Sequence, residues 1–158
     1  MSERSSERVS LLAVLTYPED RDSLRGILSH SNWKLNIAKT YEEARAALER
    51  AEAGAVVSEC RLPGGFGWRD ILRLTEAIEN APPVIVTDSI ADERLWAEVL
   101  NERGYDVLVK PFDRDEVFRI IGHAWRSWKD RGEQAARRRP AASADSASAR
   151  KFYAASGA

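Results

Sequence analysis

Five short apolar runs punctuate the chain, and behind each one apolar residues recur every three or four positions. The first run, Val9 to Leu15, is too continuous for a strand with one wet face and predicts a central strand covered on both sides. Pro18 breaks it, and Leu24, Ile27 and Leu28 follow at helical spacing until Ser29 to Asn32 ends the helix. Trp33 to Ala38 predicts a second strand. Thr40 and Glu43 have capping-box form, with Ala44, Ala47 and Leu48 as the stripe of a second helix. Ala55 to Ser58 is the third run, closed at Glu59 by a loop that carries Pro63, Gly64, Gly65 and Gly67. Helix three is expected from Trp68 to about Glu79. Val84 to Val86 is a β-branched run ending at Thr87, and Asp92 to Arg103 reads as helix four, stopped by Gly104. Asp106 to Val109 is the fifth strand. Lys110, Pro111 and Phe112 lead from it into helix five, about Asp113 to Lys129, with Val117, Ile120, Ile121, Ala124 and Trp128 as its buried stripe.

Five β-α units in series imply a parallel sheet with helices on both faces, since each crossover is right-handed and carries a helix. The expected fold class is therefore α/β: a flavodoxin-like, doubly wound (βα)5 sheet of strand order 2-1-3-4-5 in a single domain. In such sheets ligands meet the carboxyl ends of the strands beside the switch in strand order. Those ends hold Thr16 and Tyr17, Glu59, Thr87 and Asp88, and Lys110.

Composition narrows the classes. The chain has 158 residues, 44% hydrophobic and 31% charged, enough for one domain with a real core. No apolar run approaches the roughly 20 residues of a membrane span, and the N-terminus has no signal-peptide stretch, so a cytoplasmic protein is expected. One cysteine, Cys60, forms no internal disulfide and is too few for a zinc scaffold. His30 and His123 have no matching ligand set. No cofactor or metal is expected. The formal net charge of -1 hides an asymmetry. Residues 131 to 158 hold six Lys or Arg against Glu133 and Asp145, a local net of +4, which leaves about -5 on the rest. The expected division is a flexible N-terminus over 1–8, a domain over 9–130, and a disordered basic Ala/Ser/Arg tail over 131–158.

Lys110-Pro111-Phe112, Thr87 after its apolar strand, and Leu62-Pro63-Gly64 with Gly67 downstream resemble the receiver domain of bacterial response regulators, from about Val9 to Lys129. The resemblance implies a phosphoacceptor aspartate four residues before the loop proline, where this chain has Glu59. It also implies two acids at the end of strand one to hold Mg²⁺, where this chain has Thr16 and Tyr17. A small residue is implied where Asp88 stands, and an aromatic residue three before the lysine, where Val107 stands. Mg²⁺ requires hard oxygen ligands in near-octahedral geometry, and phosphoryl transfer depends on neutralising the transferred oxygens. The pocket therefore reads as degenerate. Glu19 and Asp20 are expected to complement the dipole of helix one; the alternative is that they swing toward the pocket, where with Asp88 they would set three acids near Lys110 for a cation. A Glu59–Lys110 ion pair with Thr87 nearby would hold the loops in one state; the alternative is that these residues have no role.

Among the tryptophans, Trp96 and Trp125, with Phe118 and Val107, mark a candidate interaction face on helix four, strand five and helix five, against simple packing as the alternative. The resemblance implies that this face serves a protein partner, kinase-linked or otherwise in signalling, or a second copy. The basic tail would give only sequence-independent affinity for nucleic acid, and no DNA-reading motif follows helix five. The expected function is that of an atypical, non-enzymatic receiver acting in two-component or phosphorelay signalling as a phosphorylation-independent interaction module. Two alternatives stay open: a phosphoacceptor with a remodelled acidic site, and a flavodoxin-like small-molecule binder in the same crevice, with Tyr17 and Phe66 stacking on a ring.

Overall fold

A computed structural model of the protein describes residues 8–156, with side chains through Arg138. Strands β1 (Ser10–Val14), β2 (Lys34–Ala38), β3 (Ala55–Glu59), β4 (Val84–Asp88) and β5 (Asp106–Val109) alternate with helices α1 (Pro18–Leu28), α2 (Tyr41–Arg50), α3 (Trp68–Glu76), α4 (Glu93–Asn101) and α5 (Arg114–Ser156). The strands form one parallel sheet of order β2-β1-β3-β4-β5. This is the expected flavodoxin-like architecture.

Alternation along the strands sorts the core into two layers. Leu12, Val14, Val56, Val84, Val86 and Val107 face one side, where Ala44 of α2, Trp68 and Ile71 of α3, and Leu95 and Val99 of α4 cover them. Leu11, Ala13, Leu15, Val57, Ile85 and Leu108 face the other, beneath Leu24 and Leu28 of α1 and Val117, Ile120, Ile121 and Ala124 of α5. Burial on both faces explains why the first, third and fourth strands read as unbroken apolar runs. Each fully buried Leu, Ile or Val contributes about 1.5–3 kcal/mol.

Local signals set most boundaries. The Thr40 hydroxyl accepts from Glu43 N at 3.2 Å and opens α2; Asp92 Oδ1 accepts from Leu95 N at 2.9 Å and opens α4. Helix α3 ends at Glu76, short of the expected Glu79, and Asn80 at φ 53 turns the chain beyond it. Asn80 Nδ2 donates to Trp128 O at 3.3 Å and Trp128 Nε1 donates to Asn80 O at 2.9 Å, fastening that turn to α5.

The described residues divide into two compact units, parted between Trp128 and Lys129. The sheet and its helices make up the first. In the second, the helix continues to Ser156 where a structureless tail was expected. Alanine and arginine are strong helix formers, and they give helix here without burial, since Glu133 to Arg138 are all exposed. The expected flexible N-terminus falls on residues of which 1–7 lie outside the described ones, as do Gly157 and Ala158.

Candidate functional site

At the carboxyl edge of the sheet, a cavity of about 650 Å³ is bordered by Tyr17, Asp20, Glu59, Asp88, Ile90 and Lys110. Three strand ends and the first turn of α1 meet there because the parallel register brings Glu59 opposite Thr87, and Asp88 opposite Val109. The β5 ladder continues through Lys110 N, which donates to Asp88 O at 3.2 Å. The Lys110–Pro111 peptide bond is cis.

Lys110 is the centre of the site. Its Nζ donates to Glu59 Oε1 at 2.6 Å and to Asp20 Oδ2 at 2.7 Å, and it lies 5.0 Å from the centroid of the Tyr17 ring. Burial works to lower the pKa of this ammonium, but the hydrogen bonds it donates to Asp20 and Glu59 and their negative charge outweigh it and hold it above the ordinary lysine value. Burial pushes the Glu59 carboxyl up despite the lysine, with Asp20 and Asp88 adding repulsion. The two shifts agree physically: one lysine is shared by two carboxylates, so the triad is net negative and the more buried acid bears the cost. Glu59 is 5% exposed, and its Oε2 has no hydrogen-bond partner, nor has the buried Thr16 hydroxyl.

The rest of the carboxyl edge is occupied from within. Arg21 Nη1 donates to Leu15 O at 3.1 Å and Thr16 O at 2.8 Å, so a guanidinium covers the carbonyls at the end of β1. Thr87 is fully buried and donates its hydroxyl to Leu108 O at 2.6 Å. It therefore points along the sheet toward β5. Asp88 Oδ1 accepts from Ile90 N at 3.3 Å and shapes the loop before α4. In the loop after β3, Gly64 and Gly65 have φ of 81 and 82, the left-handed region that favours glycine. Phe66 beside them stacks on Tyr41 at 4.2 Å, so it is not available to sandwich a ligand ring with Tyr17. Burial pushes the Cys60 thiol up, away from the thiolate a nucleophile needs.

Of the expected pocket residues, Glu59, Lys110, Tyr17 and Asp88 come together; Thr87 turns away and Thr16 offers a buried hydroxyl. Asp20, expected first as a helix-start acid with a swing toward the pocket as the alternative, does both: it stands in the first turn of α1 and pairs with Lys110. Its position three residues after Tyr17 was the available signal.

The expected interaction face needs correction. Val107 is fully buried. Trp96 is half-buried against the core. Phe118 lies on the α1/α5 side, edge-to-face with Trp33 at 4.8 Å. Trp125 packs over Gly54, where a Cβ would run into its ring. The sequence leaves these rings open between an exposed face and simple packing because the segment before β2 and the turn before β3, which pack on Phe118 and Trp125, are far away in sequence. The large apolar side chains that are exposed include Tyr17, Ile90, Leu100 and Val109.

A divalent ion does not fit the site as built. The Lys110 ammonium already lies between the two carboxylates, and among the described residues no three His, Cys, Asp or Glu side chains are gathered into a metal-holding set. No helix of the described residues is long and apolar enough to cross a membrane.

The sequence profile of the response regulator receiver domain matches residues 14–122. The chain is 28% identical over 106 residues to the transcriptional regulatory protein FixJ of Bradyrhizobium diazoefficiens, a match covering 67% of this chain and 51% of FixJ. It is 29% identical over 115 residues to a 14.6 kDa protein of Leptolyngbya boryana, covering 72% of this chain and 88% of that one. Among solved structures, the signal receiver domain of an HD domain-containing protein of Pseudomonas fluorescens Pf-5 superposes with a TM-score of 0.71 at 24% identity, covering 80% of this chain and 93% of that one. The receiver domain of the sensor histidine kinase PA1611 of Pseudomonas aeruginosa PAO1, which has magnesium coordinated in its cleft, gives 0.65 at 24%, covering 75% and 98%.

Proposed function

The chain belongs to the response regulator receiver domain family of two-component signalling, and from that premise we propose that it acts as a pseudo-receiver, a protein-interaction module that signals without being phosphorylated. One observation carries the reading: Lys110 is held by Glu59 and Asp20 together, at 2.6 and 2.7 Å. A lysine committed to two carboxylates is not free to neutralise a transferred phosphoryl group, which is the main task of such a site. The end of β1 supplies Thr16 and Tyr17, neither of them a carboxylate ligand for Mg²⁺. Glu59 as acceptor would stand one methylene further out than an aspartate, an error of about 1.5 Å where about 1 Å can cost on the order of 100-fold. Asp88 adds a carboxylate that repels an incoming phosphate.

The partner is a protein, kinase-linked or otherwise in the signalling chain, or a second copy. The surface proposed for it is still α4 and β5, but through Leu100, Val109 and Ile90, which are exposed. The basic segment from residue 131 adds no specific nucleic-acid reading.

Incubation of the purified chain with Mg²⁺ and acetyl phosphate, followed by intact mass measurement, tests this. No adduct is expected, and beryllofluoride should leave the amide spectrum unchanged. A stable phospho-adduct, or a beryllofluoride-induced shift at Glu59, Asp88 and Lys110, would overturn the reading in favour of a remodelled phosphoacceptor.

A further inference from the structure

The mismatch between this site and a divalent ion has its own content. Two carboxylates from elements distant in the sequence converge on one nitrogen, Asp20 Oδ2 at 2.7 Å and Glu59 Oε1 at 2.6 Å. Hard divalent cations hold oxygens at about 2.0–2.6 Å. An ion at the Lys110 Nζ position would therefore need only a small contraction of the same ligands. Glu59 is buried to about nineteen parts in twenty and its second oxygen, Oε2, has no partner; the buried Thr16 hydroxyl beside the end of β1 has none either. Asp88 acts on Glu59 electrostatically from the neighbouring strand.

We propose that Lys110 is a tethered cation standing in a latent divalent-cation site, whose ligands are the carboxylates of Asp20 and Glu59. The inference rests on reading the site as closed by Lys110. Tethering gives the ammonium an effective concentration on the order of millimolar or more at its partners, so free Mg²⁺ or Mn²⁺ has to displace a neighbour that never leaves. The domain thereby carries its own counter-cation and keeps one loop arrangement whatever the divalent ion level. Removing the ammonium leaves two adjacent carboxylates without compensation, which is the condition that draws in a hard cation.

Mn²⁺ is the probe. The full chain and its Lys110→Met variant are titrated with Mn²⁺, following the free ion by electron paramagnetic resonance and the protein by thermal melting with and without the ion. The unsubstituted chain should leave Mn²⁺ free and melt at the same temperature in both conditions. Lys110→Met, which removes from the ligands a charge of the ion's own sign, should bind one ion per chain, about tenfold or more tighter than the unsubstituted chain, and melt higher with the ion present. Adding Asp20→Asn to Lys110→Met should abolish the gain. Should the methionine variant fail to fold, Lys110→Gln, whose amide can still donate to Glu59, carries the same expectation. Equal Mn²⁺ affinity in the unsubstituted chain, a soluble folded variant that binds none, or binding that survives loss of Asp20 each overturns the proposal. A phospho-adduct on the unsubstituted chain would fall on the pseudo-receiver reading; failure of the Lys110 variants to take up Mn²⁺ falls on the tethered cation alone.

Discussion

Asp20 and Lys110, 90 residues apart in sequence, meet at 2.7 Å and tie the first turn of α1 to the end of β5. Asp20→Asn keeps the shape and removes the charge. It should cost about 1.5–3 kcal/mol, the usual range for a hydrogen bond to a charged group, read as a lower urea midpoint. It should also lower the pKa of Glu59, which Asp20 now raises, and the carboxyl carbon shift of Glu59 in an NMR titration follows that directly. An unchanged Glu59 titration would mean that the two acids do not share the lysine.

The pH dependence of stability follows from the same triad. Glu59 titrates above the ordinary glutamate value of 4.5 in the folded protein. Between 4.5 and that raised value the folded state holds more protons than the unfolded one, so stability falls as pH rises through the window and stays low above it. Urea midpoints across about pH 4 to 8 should decline in the unsubstituted chain and decline less in Glu59→Gln. Lys110 has the opposite placement: the stability it contributes is complete below its ordinary value of 10.5 and is lost as pH climbs through its raised folded value.

Gly54 lies under Trp125, and any side chain there meets the indole. Gly54→Ala should destabilise by about 1–3 kcal/mol through overpacking, with a change in tryptophan emission as the ring is displaced. If stability and emission both stay as they are, Trp125 has room that the packing denies it.

Arg69 on α3 reaches Glu102 at the end of α4, 2.6 Å at the closest, and Glu98 at 3.4 Å. All three side chains are solvent-accessible, so the links should be weak and screened by salt. Arg69→Ala should leave the melting temperature nearly unchanged and speed amide exchange over Glu93–Asn101 at low salt. That difference should shrink at high salt.

The strands and helices were legible because both layers of the core write their alternation into the sequence: Val9 to Leu15 could only be a strand covered on both sides. The triad was half legible. Lys110 and Glu59 stand at strand ends, whose placement follows from strand order, whereas Asp20 reaches the site through the pitch of α1, which strand order does not fix. The placing of Phe118 and Trp125 stayed open for a related reason. Their covers, Trp33 and Gly54, come from connections whose path over the sheet no periodicity records. The helix beyond Lys129 is not legible from what the segment can bury, since alanine and arginine favour helix without burial.

The sheet order has a mechanical consequence. Strand β1 is laddered to β2 on one side and β3 on the other, and its terminal carbonyls are held by Arg21. A pull on the chain's beginning therefore loads two parallel ladders in shear at once, with both core layers behind them. A partner or protease that tugs there works against both ladders together, whereas β5, like β2 an edge strand laddered on one side only, has its end pinned by Lys110 to the helix that follows β1.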